Sequence, residues 1–141
     1  MPVEHRISID ASPDVIFQIY REVDSWHKWD PDTKQATLDG PFQVGSRGLL
    51  TPTQGRTVPM ELTVVEPGRR FTVESKIPLF RMRFEHEMRS VAASNTEVVH
   101  RVTFSGPLSI LLRPLLLKRV NAGLPTTLAR LKTLAEARSA A

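Results

Sequence analysis

Residues 80–89 read Phe80-Arg81-Met82-Arg83-Phe84-Glu85-His86-Glu87-Met88-Arg89. Phe80, Met82, Phe84, His86 and Met88 share one parity, and every residue between them is charged. Strict alternation over such a run is the mark of a β-strand with one dry face and one wet face. Residues 97–104 repeat it: Val98, His100, Val102 and Phe104 on one side, Glu97, Arg101 and Thr103 on the other, with Val99 as the exception. Residues 92–95 supply the hairpin loop between them. If Met88 pairs with Val98, then His86 faces His100 and Phe84 faces Val102. A slip of two residues keeps the same face dry but sets His86 opposite Val102. In either register each strand carries one imidazole among apolar neighbours. Such an interior is either a core with satisfied histidines or a ligand pocket.

Outward from this hairpin the chain keeps the same character. Residues 58–65 alternate Val58, Met60, Leu62 and Val64 against Pro59, Glu61 and Thr63. Pro67-Gly68 is a tight turn, and residues 70–76 run back from it. Asp39-Gly40-Pro41 and Val44-Gly45 are further turns, with a strand at 48–51. At the start, Val3, His5, Ile7 and Ile9 alternate as a strand. Ser12-Pro13-Asp14 then opens a helix, Ser12 as its cap and Pro13 in its first position. Val15, Ile16, Ile19, Tyr20 and Val23 give that helix an apolar stripe. Residues 26–31, Trp26-His27-Lys28-Trp29-Asp30-Pro31, form a second short helix or turn.

Gly106-Pro107 ends the strands, and residues 108 to about 137 are helical. Leu117, Val120, Leu124, Leu128, Leu131 and Ala135 fall near one face. Pro114 and Pro125 are expected to kink or restart this helix. The order is strand, two short helices, about six antiparallel strands, long helix. That is an α+β chain whose sheet has one apolar face for the last helix to cover. A strongly curved sheet around one helix leaves space between them.

The chain has 141 residues, and residues 1–141 read as one domain with a substantial core. It has no cysteine, so thiolate chemistry and disulfides are excluded. The first residues lack the apolar core of a secretion signal, which makes the expected location cytoplasmic. The net charge of +4 is uneven: from Arg113 onward there are six basic residues against the single acid Glu136. That excess is either the wet face of an amphipathic helix or a contact surface for phosphate, on RNA or on lipid.

No nucleotide motif is present; Gly45-Ser46-Arg47-Gly48 lacks the spacing and the Lys-Ser/Thr of a phosphate loop. The four histidines have no metal-ligand spacing, so neither a metal nor another cofactor is expected. His86 and His100 are the candidate acid–base groups, because imidazole titrates near neutral pH. Trp26 and Trp29 are three apart, so both indoles reach one side of a helical turn as core or as pocket wall. Tyr20 sits on an apolar stripe and reads as core. The candidate ligand wall is Trp29, Met60, Met82, Phe84, His86, His100, Phe104 and Leu124.

Several segments carry a family resemblance: Ile7-Ser8-Ile9-Asp10-Ala11-Ser12-Pro13-Asp14-Val15-Ile16-Phe17, Asp24-Ser25-Trp26-His27-Lys28-Trp29-Asp30-Pro31, Leu38-Asp39-Gly40-Pro41-Phe42-Gln43-Val44-Gly45-Ser46, Glu66-Pro67-Gly68-Arg69-Arg70-Phe71, Phe84-Glu85-His86-Glu87, and Leu124-Pro125 with Leu128-Ala129-Arg130-Leu131-Lys132. With them the chain resembles the START-like, Bet v 1-like helix-grip superfamily (SRPBCC), in its polyketide cyclase/dehydrase-related branch. The resemblance implies a helix-grip fold: a curved antiparallel sheet of about seven strands, two short helices, and a long C-terminal helix enclosing a cavity. It implies binding of a small hydrophobic molecule, lipid-, polyketide- or isoprenoid-like, with or without cyclase/dehydratase-type acid–base chemistry. The alternative is an interaction module acting on RNA, the ribosome or a membrane surface through the basic C-terminal helix. No DNA partner is expected.

Overall fold

The computed structural model describes residues 2–140. In chain order the elements are β1 (Val3–Ile9), α1 (Pro13–Arg21), a 3-10 helix (Val23–Lys28), β2 (Thr33–Asp39), β3 (Arg47–Pro52), β4 (Val58–Glu66), β5 (Arg70–Ile77), β6 (Phe80–Ala92), β7 (Asn95–Ser105) and α2 (Pro107–Ala140). The strands form one seven-stranded sheet in the order β1-β7-β6-β5-β4-β3-β2, each pair antiparallel. The two short helices connect its edge strands, and α2 lies across the inner face, mostly over β1 and β7. This is the helix-grip α+β fold that the resemblance implies.

The β6–β7 hairpin adopts the first of its two possible registers: Met88 pairs with Val98, His86 with His100 and Phe84 with Val102. Ser12 caps α1, accepting from the Val15 amide at 3.4 Å, with Pro13 in the first turn. The buried face of α1 is Ile16, Phe17, Ile19 and Tyr20.

Two local expectations are corrected. The alternation of β4 breaks between Leu62 and Val64, where the register with β5 shifts. Past this bulge Val65, paired with Phe71, packs on the core, in place of Val64. A bulge inserts one residue and so reverses the facing of the residues beyond it. Second, α2 does not restart at Pro114 or Pro125 but runs as one helix through both. Each proline removes one amide donor, to the carbonyl four residues earlier. Both prolines, and Ile110 and Asn121 four residues before them, lie on the exposed side, where water satisfies what the helix cannot. Val99, the apolar exception on the wet face, is nonetheless buried. Its cross-strand neighbours there are Arg6 and Glu87, part of a ladder of ion pairs that also joins Arg101 to Glu4, Glu85 and Glu87. The arginine stems cover the valine while their charged heads stay wet.

Gly48 holds β2 and β3 together. A Cβ there would sit 1.9 Å from the Thr37 carbonyl oxygen, so only glycine permits this approach.

Candidate functional site

The inner face of the sheet is built in transverse rows. One runs Phe71, His86, His100, His5 across β5, β6, β7 and β1. Each histidine in it has a partner. Nδ1 of His86 donates to the Phe71 carbonyl oxygen at 3.2 Å, and its ring stacks on Phe71 with centroids 4.0 Å apart. Nε2 of His100 shares a 2.8 Å hydrogen bond with the Tyr20 hydroxyl. Nε2 of His5 meets Oδ1 of Asn121 on α2 at 2.9 Å. The rings of His86 and His100 are 4.6 Å apart, edge to face.

Tyr20, delivered by α1, is the hub. It touches Trp29, Phe71, His86 and His100. Trp26 donates its indole N–H to the Tyr20 carbonyl at 2.8 Å. Burial governs the titration of this group. It pushes the Tyr20 hydroxyl well above its ordinary value. It pushes His86 down to about 3, with the Phe71 hydrogen bond opposing, and holds His100 well below 6.5 with help from His86. All three are therefore neutral at physiological pH.

The row on the other side of Phe84 differs. Ser75, Met82 and Phe104 stand opposite one another on β5, β6 and β7. Met82, Phe84 and Phe104 are only partly buried, as are Leu117 and Val120 on the helix that faces them; with Val3, Val102 and Leu124 they form a separate, smaller cluster. Ser75 is buried, and its Oγ has no hydrogen-bond partner among the described residues. Neither has the indole nitrogen of buried Trp29.

The expected ligand wall is thus distributed over two clusters that meet at Phe84. Met82, Phe84, Phe104 and Leu124 come together in the loose one. Trp29 and Met60 lie in the dense one, beside the His86–His100–Tyr20 group. Sequence reasoning did not find Ser75, the Tyr20–His100 bond or the His5 extension of the row. Ser75 sits at an inward position of β5, two residues past Val73, and that parity was the signal available. The pairing of Tyr20 with His100 spans 80 residues of sequence and left no local trace.

Two surface grooves, about 420 and 240 Å³, open on the outer face of the sheet. Their walls are the arginine and glutamate ladder, which suits no apolar ligand. Among the described residues no three His, Asp or Glu side chains converge as a metal site requires, and no helix is long and apolar enough to cross a membrane.

No curated protein sequence matches the chain. Solved structures do, at low identity. The Zhui aromatase/cyclase of a Streptomyces species superposes with a TM-score of 0.80 at 18% identity, over 98% of this chain and 94% of that one. A Thermus thermophilus protein gives 0.77 at 17% identity, over 99% of both chains. Norcoclaurine synthase from Thalictrum flavum gives 0.72 at 13% identity, over 95% of this chain and 85% of that one. These likenesses establish a shared fold. Residues 2–136 match the sequence profile of the family described as polyketide cyclase / dehydrase and lipid transport, and the chain belongs to that family.

Proposed function

We propose that the chain binds a small, mostly apolar molecule bearing at least one oxygen, between β5–β7 and the part of α2 around residues 117–124. The observation that carries this reading is the unpartnered, buried Oγ of Ser75, which stands across the strand from Met82 of the loosely covered cluster. A buried hydroxyl without a partner costs about 1–3 kcal/mol, and a ligand carbonyl or hydroxyl at hydrogen-bond distance recovers it. Met82, Phe84, Phe104, Leu117 and Val120 supply an apolar wall that the protein itself leaves partly uncovered. The family description and the aromatase/cyclase among the structural neighbours fit a lipid- or polyketide-like ligand.

Acid–base turnover by the histidines is not part of this reading. A general base works best with a pKa near the working pH, and His86 is pushed down to about 3. Their hydrogen bonds to Phe71 and Tyr20 fix the floor of the site. Titration with the fluorescent probe anilinonaphthalene sulfonate tests the proposal. Met82→Trp fills the loose cluster and should weaken probe binding about tenfold or more, equivalent to about 1.4 kcal/mol, at an unchanged melting temperature. Undiminished binding to a stably folded Met82→Trp protein would place the probe elsewhere and reject the site.

A further inference from the structure

We propose that the end of the molecule formed by the β5–β6 turn and the first turns of α2 docks on a bilayer surface containing anionic lipid. Four large aliphatic side chains there stand in solvent: Leu79 at 66% exposure, Ile110 at 75%, Leu111 at 76% and Leu115 at 53%. They form one tip because the turn is tied to the helix. The Leu108 amide donates to the Leu79 carbonyl at 3.0 Å. Gly106 lies so close that a Cβ there would come within 2.5 Å of the same oxygen. Leu79 itself holds a left-handed backbone, φ 66°, which a leucine adopts only under constraint. At 3.6 residues per turn, Ile110, Leu111 and Leu115 fall within an arc of about 140° on the helix, with Pro114 and Lys118 inside it. Arg113 and Arg119, both exposed, flank that arc.

The charge selects the occupant. Between Glu97 and Glu136 the chain contains no acid, while Arg113, Lys118 and Arg119 surround the aliphatic tip. Exposed aliphatic side chains rimmed by basic residues match the boundary of an anionic bilayer, where acyl chains lie beneath negative headgroups. A second copy of the chain is a poorer fit: a two-fold contact through this tip would set the basic rim against itself. The partly uncovered cluster beneath α2 starts two residues from this turn, at Met82 and Phe104, paired with each other. Docking would bring it to the surface where apolar molecules dissolve. The docking proposal does not depend on that cluster being a binding site.

Vesicle flotation of the full chain tests it, with phosphatidylcholine alone and with phosphatidylcholine mixed with phosphatidylglycerol. Each Lys or Arg near an anionic surface is worth about fivefold in partitioning. The chain should float with the anionic vesicles, and Arg113→Gln with Lys118→Gln should weaken this roughly 25-fold. Ile110→Ser with Leu111→Ser should abolish it. Both double variants alter exposed side chains and should melt with the unaltered protein. Failure of the unaltered chain to float would overturn the proposal, as would flotation that survives either double variant. So would a concentration-dependent dimer, without flotation, that Ile110→Ser with Leu111→Ser dissolves.

Discussion

A chain ending at Val120 should show no cooperative melting transition. The segment removed carries Leu124, Leu128, Leu131 and Ala135, all buried, spaced so that each turn of α2 adds one side chain to the sheet. Fully burying a large aliphatic side chain contributes roughly 1.5–3 kcal/mol, so the three leucines together account for much of a typical stability of about 5–15 kcal/mol. The same segment closes the edge of the sheet with polar contacts. Lys132 donates to the Ser8 carbonyl at 2.8 Å, Glu136 accepts the Asp10 amide at 2.8 Å, and Arg138 grips Glu22 in a two-pronged pair. Circular dichroism of the truncated chain should give a shallow, non-cooperative melt or an insoluble product. A cooperative transition would show that α2 is an accessory arm on a sheet that folds alone.

Mild acid should destabilise the protein through its two buried imidazoles. His86 has a folded pKa of about 3 against an ordinary 6.5, and His100 is shifted the same way. Between those values the unfolded chain binds protons that the folded chain refuses, so stability falls as pH falls. The contribution is intact above about pH 6.5 and drains away as pH drops towards the folded value. By about pH 5 His86 alone removes about 2 kcal/mol, and His100 adds in the same direction. Asp30, whose carboxyl is raised by burial, pulls the other way, one group against two. The melting temperature should fall by roughly 5–10 °C between about pH 7 and pH 5. His86→Leu should be less stable at neutral pH, because the Phe71 carbonyl loses its donor, and should show a slope shallower by about one proton. A melting temperature flat across that interval would contradict neutral burial of both histidines.

Much of the fold was legible because its signals are local. Alternation in residues 80–89 and 97–104 defined β6 and β7 and offered the His86–His100 register. Ser12-Pro13 marked the start of α1, and Gly106-Pro107 the end of the sheet. The features that escaped were decided by distant partners. The bulge after Leu62 depends on how β4 meets β5, and the burial of Val99 depends on Arg6 and Glu87 from the neighbouring strands. The prolines in α2 look like interruptions in sequence alone, which does not reveal that their side of the helix faces water. The site was legible to the same degree. Met82, Phe84, Phe104 and Leu124 were placed on the inner face by parity and do meet. Tyr20 read as core and is core, but its hydroxyl turns His100 into a fixed, neutral group. The division of the inner face into a dense half and a loose half comes from where α1 and the 3-10 helix pack, which no strand pattern encodes.

The central claim, that the loose half of the inner face takes an apolar ligand, is tested most directly by nuclear magnetic resonance of isotope-labelled methionine methyl groups during titration with anilinonaphthalene sulfonate. Met82 lies in the loose cluster, and Met88, further along the same strand, lies in the dense core. The Met82 methyl signal should shift saturably while that of Met88 stays in place. A titration that leaves Met82 unmoved, or that moves Met88 as far as Met82, would contradict the claim.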